Sequence, residues 1–361
     1  MRFLIDIGHP AHVHLFRNLY FALIAEGHYV VVTTKDIPIA KTLLNLYGIQ
    51  YINLGKKSDV LIGKFFDLLR FGWSIFGLVK KHKIHIAIGT SINIAHVSRF
   101  TKITSFIFDD DDSAVQPLMN RYGHPFADYI VSPDVLDYER KALNHITYPA
   151  YHELAYLHPK IFTPDPTVLT ELGINEGEKF FILRFNAFKA HHDVGVSGLS
   201  IKQKRKIIEI LKPYGRVFIT TERNIDEEFK QYKLKVSPEK VHSFMFYAQM
   251  LIGDSQTMTS EAAVLGVPSL RCNSFAGRIS YLEEQEQKYQ LTYAFPPKDF
   301  SLLEKKLVEL LSISDLKNEW QKRRKVMLED KIYPIPFFKF FLEKQLKGSL
   351  YAKDFDFKKF S

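Results

Sequence analysis

Residues 250–272, MLIGDSQTMTSEAAVLGVPSLRC, constrain the fold of this chain more than any other stretch. Met250, Leu251 and Ile252 form an apolar run that enters Gly253-Asp254-Ser255. A hydroxyl-rich turn with Ser255, Thr257, Thr259 and Ser260 then opens a helix carrying Glu261, Ala262 and Ala263. Gly266-Val267-Pro268 stops that helix, and Ser269-Leu270-Arg271 reads as the next buried strand. A strand-turn-helix-strand unit of this kind builds parallel α/β sheets. Its turn also suits an anion, because the first N–H groups of a helix lack internal partners and lie at the positive end of the dipole. Glu261, just inside the helix, is placed to accept two ribose hydroxyls. A plain helix cap is also open, since Ser or Thr followed a few residues later by Glu is a capping signature. The excess of hydroxyls and the carboxylate on one helix face favour a nucleotide site.

The remaining segments repeat the same alternation. Strands are expected at 2–7, 28–34, 50–53, 85–88, 105–108 and 129–131, with helices over 13–26, 37–47 and 92–100. Residues 146–178 break the pattern with Pro149, Pro159, Pro164 and Pro166. Alternation resumes with strands at 180–185 and 216–220, helices over 200–211 and 225–232, the 250–272 unit, and helices over 302–311 and 315–328. This predicts two doubly wound α/β domains in tandem, facing a central cleft, with ligands at the carboxyl ends of strands. The expected division is 1–148, a linker over 149–178, a second domain over 179–335, and a tail over 336–361 that packs back or is partly disordered.

Composition narrows the function classes. At 361 residues the chain is long enough for two cores, and 46% hydrophobic with 25% charged residues is ordinary for a globular protein. The single cysteine, Cys272, excludes a disulfide framework and a cysteine-built zinc site, and makes a reducing compartment the default. The amino terminus enters a strand directly, without the apolar run and cleavage site of a secretory signal. A cytoplasmic location is therefore expected, with the inner face of a membrane as the alternative within it. The net charge of +9 comes from scattered lysines and arginines without a recognition motif, so nucleic acid is not expected as a partner. Residues 63–85 combine nine large apolar and aromatic side chains with Lys80-Lys81-His82-Lys83. Either this is a buried helix whose last cations complement its dipole, or it contacts an anionic membrane surface.

Three other strand-end loops carry chemistry. Gly8-His9-Pro10-Ala11-His12-Val13-His14 places three histidines where the first strand turns into the first helix. A histidine there suits a general base acting on a hydroxyl, while the metal reading lacks a completing ligand set. Helix capping with surface exposure is the alternative for each. Arg184, with His191 and His192 in the following loop, offers fixed cations for a diphosphate leaving group. Asp109-Asp110-Asp111-Asp112 reads either as a divalent-metal site or as a solvated acidic run, and Asp110 could assist the base or hold a sugar hydroxyl. No metal and no resident cofactor is expected.

Together DIGHPAHVHLFRNL, the IGTS at Ile88 to Ser91, the Arg184 loop and IGDSQTMTSEAAVLGVPSLRC resemble the GT-B superfamily. The chain is most similar to a group of glycosyltransferase-like proteins related to UDP-N-acetylglucosamine 2-epimerase, and more distantly to the murein UDP-N-acetylglucosamine transferase. The resemblance implies two Rossmann-like domains, His12 as the base, Ser255, Gln256 and Thr257 on the donor diphosphate, Glu261 on its ribose, and residues 244–247 near the nucleobase. With Gly8, Arg184 and His191 these make up the expected donor site. Epimerases show Gly-Asp-Thr where this chain has Ile88-Gly89-Thr90, two glutamates where it has Leu118 and Met119, and Ser-Gly-Gly where it has Ser255-Gln256-Thr257. Those departures favour sugar transfer from a UDP-sugar to a glycan or lipid-linked hydroxyl. A 2-epimerase-like isomerase and a non-catalytic nucleotide- or glycan-binding module are the alternatives.

Overall fold

The computed structural model describes residues 1–58, 61–137, 144–185, 198–221, 225–344 and 356–360. The chain forms two compact units, one of Met1–His158 with Lys331–Ser361, the other of Pro159–Asp330.

In the first unit the chain runs β1 (Arg2–Ile7), α1 (Pro10–Ala25), β2 (Tyr29–Thr34), α2 (Pro38–Leu46), β3 (Ile52–Asn53), α3 (Leu61–His82), β4 (Ile86–Gly89), α4 (Ile92–Ser98), β5 (Thr104–Phe108), α5 (Pro117–Tyr122), β6 (Tyr129–Pro133), β7 (His145–Tyr148) and α6 (Leu154–Leu157). The strands form one sheet in the order β3-β2-β1-β4-β5-β6-β7, parallel throughout. Both faces are covered. Phe71, Ile75 and Val79 of α3 pack with Ile94 and Val97 of α4 against Leu4, Ala87 and Ile107. On the other face Phe16 meets Phe108 edge-on at 5.3 Å.

The second unit contains α7 (Thr167–Glu171), β8 (Phe180–Arg184), α8 (Ile201–Leu211), β9 (Arg216–Thr220), α9 (Val241–Tyr247), β10 (Met250–Gly253), α10 (Gln256–Leu265), β11 (Ser269–Cys272), α11 (Ser280–Gln287), β12 (Thr292–Phe295), α12 (Phe300–Leu311) and α13 (Leu316–Asp330). Its sheet, β12-β11-β10-β8-β9, is also parallel. Helix α14 (Ile335–Lys344) belongs to the first unit.

Three sequence expectations change here. The span read as linker begins with fully buried side chains, Tyr151, Leu154 and Leu157 among them, so the first unit extends through His158. The span 331–335, placed in the second domain, instead joins the first, because Ile332 N–H bonds Pro149 O at 2.9 Å and Lys331 pairs with Asp134 at 2.8 Å. Phe338 and Phe341 then seat α14 edge-on against Phe108 and Phe106, at 4.8 and 5.5 Å. Each such ring withdraws from water with a gain of about 1.5–3 kcal/mol. Within the tail, Phe357 packs on Phe337 at 4.9 Å. Residues 225–232, expected as an α-helix, form a 3-10 segment, Glu227–Tyr232, with Phe229 as its buried side chain.

Candidate functional site

The order of each sheet locates its site. In the first unit the chain moves outward from β1 through β2 to β3, then crosses back to β4 on the opposite side of β1. In the second unit β9 lies on one side of β8, while β10, β11 and β12 build out on the other. Loops leaving two adjacent strands in opposite directions open a crevice at their carboxyl ends, where ligands of such sheets bind. The Gly8 turn after β1, the Arg184 loop after β8 and the Ser255 turn after β10, all singled out by sequence, leave these strands, while the Asp109 run follows β5.

At the first of these points the three histidines separate into three roles. His9 caps α1, its ring accepting the Ala11 N–H at 3.2 Å, with Pro10 supplying the fixed φ of a first helical position. His14 is buried and stacks on Tyr156 at 5.4 Å, so it is a packing residue. His12 is half-buried and faces the strand ends. Gly8 N–H donates to its Nδ1 at 3.2 Å, and the Thr90 hydroxyl, after β4, lies 3.0 Å from Nδ1 and 3.1 Å from Nε2. With Nδ1 accepting from Gly8, the neutral ring carries its proton on Nε2, directed at Thr90. Burial, followed by the positive neighbours His9, His152, Lys35 and Lys57, holds His12 well below the usual imidazole range. It is therefore neutral at pH 7, the state a base requires.

The acidic run is not simply solvated. Asp109 meets His124 at 2.7 Å, both buried, and Asp110 meets His152 Nδ1 at 3.1 Å. Burial pushes His152 down, but the charge and hydrogen bond of Asp110 outweigh it and hold the ring above its usual value. Burial and the Asp110 charge push Asp111 up to about 7. The carboxylate oxygens of Asp109, Asp110 and Asp111 lie within 4.8 Å of one another, but two of the three already serve histidines. Asp110 thus touches the electrostatics of His12 through His152.

In the second unit Gly253 lets β10 approach β8 more closely than any side chain permits, since a Cβ there would stand 2.0 Å from Arg184 O. Asp254 N–H bonds that same carbonyl at 3.1 Å. Ser255 is the cap of α10, its hydroxyl accepting Met258 N–H at 3.4 Å. The Thr259 hydroxyl turns back to Ser255 O at 2.7 Å, and Ser260 accepts from Gln285 at 2.8 Å. The N–H groups of Gln256 and Thr257 find no acceptor among the described residues, and both side chains are half-buried. Opposite, Arg324 and Gln321 of α13 donate to the last carbonyls of α10, at 2.8 and 3.0 Å, which completes both ends of the helix.

Glu261 is 5% exposed and its Oε1 lies 2.9 Å from Nε2 of His242 on α9. Arg184 is buried, with Nη1 donating to Thr220 Oγ1 at 3.3 Å. His191 and His192 fall outside the described residues. Residues 244–247 divide: Phe244 is fully buried, stacked on Phe180 at 4.5 Å, and cannot meet a nucleobase. Burial, with Asp254 nearby, pushes the Cys272 thiol up to about 12, which leaves it unreactive. Sequence reasoning missed Lys35, Thr90, His152 and His242. Only their positions near strand ends or beside the signature helix could have signalled them.

The sequence profile of a family described as "Protein of unknown function (DUF354)" matches residues 1–290. An uncharacterized protein of Methanocaldococcus jannaschii is 24% identical over 304 residues, covering 78% of this chain and 85% of the relative. Among solved structures, UDP-GlcNAc 2-epimerase from Neisseria meningitidis bound to UDP-GlcNAc superposes with TM-score 0.65 at 12% identity, covering 96% of this chain and 100% of the other. The S. aureus MnaA–UDP co-structure gives TM-score 0.66 at 10% identity over 97% and 99% of the two chains. The spinosyn forosaminyltransferase SpnP gives 0.63 at 15% identity over 95% and 99%. At these identities the likeness establishes the fold, which is GT-B.

Proposed function

We propose that this chain, which belongs to the DUF354 family and has the GT-B fold, transfers a sugar from a nucleotide-diphosphate donor, UDP-linked, to a hydroxyl acceptor in cell-surface glycan biosynthesis. The observation that carries the reading is the placement of a neutral histidine and an open, hydroxyl-capped helix start at the switch points of the two sheets. In this reading the diphosphate sits on the N–H groups of Gln256 and Thr257 with the Ser255 turn and Arg184. Glu261, oriented by His242, takes the ribose. His12 removes the acceptor proton at Nδ1, where the hydroxyl replaces the Gly8 N–H, and the Asp110–His152 pair tunes that ring. The reaction inverts the anomeric centre and needs no metal, since fixed N–H groups and Arg184 stabilise the leaving diphosphate.

Transfer fits this chain better than 2-epimerisation for a steric reason. A Cβ on Gly89, where epimerases have an aspartate, would meet Asp6 O at 2.8 Å. Leu118 is exposed and Met119 packs on the core, so the paired glutamates are also missing. Binding of UDP, GDP, dTDP and CMP measured by calorimetry tests the donor site. Selective UDP binding, weakened at least about tenfold in Glu261→Ala, is expected from the loss of charge-assisted hydrogen bonds. Failure to bind any nucleotide would remove the reading.

The same proposal includes contact with a membrane surface through residues 63–85, where a lipid-linked acceptor would reside. No described helix is long and apolar enough to cross a membrane. Yet α3 buries one face, Phe71, Ile75 and Val79, while Phe66, Leu69 and Trp73 are exposed on the other, Trp73 at 72%. Lys80 and Lys81 continue that outer face. The second tryptophan, Trp320, is fully buried. Anionic vesicles should therefore blue-shift emission from Trp73 alone, an effect lost in Trp73→Phe and reduced by salt. Unchanged emission would remove the membrane contact.

A further inference from the structure

Lys35 follows β2 and is only 8% exposed. Burying an ammonium is costly unless its three protons are met. Among the described residues the Lys35 ammonium makes no hydrogen bond, and its nearest carboxylate oxygen, Asp6 Oδ2, is 3.7 Å away. Asp6 itself is fully buried and takes its hydrogen bond from Thr33 at 2.9 Å, on the other oxygen. The Phe71 ring lies 5.7 Å from the Lys35 ammonium, a loose contact that supplies no acceptor. Lys35 is thus ion-paired with Asp6 at long range, and its ammonium protons remain open to an anion on the side of the Gly8 turn.

Where that acceptor would lie is fixed by the neighbours. A Cβ built on Gly8 would stand 3.6 Å from Lys35 Nζ and 3.6 Å from both Nδ1 and Cε1 of His12. Glycine is not required there by its backbone, since a side chain meets only ordinary contacts. Its absence leaves Lys35 and His12 facing the same space. Lys57 reaches that turn from the other side, its Nζ donating to Gly8 O at 3.3 Å. The start of α1, capped by His9, adds the positive end of its dipole. His12 senses this field, as the cations around it help keep it unprotonated.

We propose that Lys35, Lys57 and the Gly8 turn form a subsite for a phosphoryl group carried by the acceptor, held beside His12. This rests on the transferase reading and assigns the substrate class: a hydroxyl acceptor bearing a phosphate or phosphodiester close to the nucleophilic oxygen. The anion would accept the hydrogen bonds that the 3.7 Å pairing with Asp6 leaves unmade, and its negative charge would make His12 a stronger base once the acceptor is bound.

The test uses inorganic pyrophosphate and UDP as probes on the full chain, with the His12 ring followed by NMR across pH. Pyrophosphate should raise the midpoint of the His12 titration by about one pH unit, the size of a nearby unit charge in a partly buried site. Lys35→Gln should abolish that rise while leaving UDP affinity unchanged, and Gly8→Ala, which fills the space without a clash, should abolish it too. If Lys35→Gln fails to fold because Asp6 is left unpaired, Gly8→Ala carries the test. A midpoint that pyrophosphate does not move, or moves equally in Gly8→Ala, overturns the subsite. A loss of UDP affinity above tenfold in Lys35→Gln overturns its assignment to the acceptor and makes it a donor contact. Absence of UDP binding with the pyrophosphate response intact would sink the transferase reading and leave the anion site standing.

Discussion

Replacing His12 with alanine is expected to slow sugar transfer by about 10²–10⁴-fold while UDP binding stays intact. The expectation follows from a ring that is neutral, half-buried at the strand ends, and held by Gly8 N–H and the Thr90 hydroxyl. Its sign with pH is fixed by the same surroundings. A base works when unprotonated, so the rate should fall as pH drops through the His12 value. Burial and nearby cations place that value well below the ordinary range for histidine, so activity should hold to lower pH than an exposed histidine would allow. Initial rates of wild type and variant across pH check both points. A loss within about tenfold would show that another group takes the proton.

Gly253→Ala should unfold or severely weaken the second unit. Its Cβ would sit 2.0 Å from Arg184 O and 2.9 Å from Arg184 C, backbone atoms of the neighbouring strand that no rotamer change can move away. Overpacking of this kind costs about 3 kcal/mol or more, because β8 and β10 must separate and the ladder between them lengthens. In a unit of this size that corresponds to a fall of about 6–12 °C in its melting transition. UDP affinity should fall with it, since Asp254 N–H and the Ser255 cap are aligned by the same strand pair. Scanning calorimetry against Gly8→Ala, which meets no backbone clash, gives the comparison. Equal melting of the two variants would show that the strands have room the structure does not display.

The different legibility of the two half-sites has a physical basis. The 250–272 unit was readable because each of its parts is local. An apolar strand, a hydroxyl cap, a helix and a glycine stop follow one another within 23 residues, and the observed Gly266, at φ +69°, ends the helix as its sequence implies. The Gly8 turn was readable as a site but not as a mechanism. Nothing in the order His9, His12, His14 says that the first caps, the last stacks, and only the middle one faces the strand ends. Asp110 reads from sequence as solvated, metal-binding, or assisting the base, and only the fold sets it beside His152, 42 positions later in the chain. Glu261 was assigned to a ribose without its partner, because His242 lies on a different helix.

The sequence by itself determined the two parallel sheets, the strand ends that carry chemistry and the helix start at Ser255, because hydrophobic period, caps and turn residues act over a few positions at a time. Tertiary structure alone decided which histidine is neutral and open, that Lys35 is buried without a hydrogen bond, and that α14 closes the first unit. Those outcomes depend on strand register and crossover connections, which bring together residues tens to hundreds of positions apart and are not written in any local pattern.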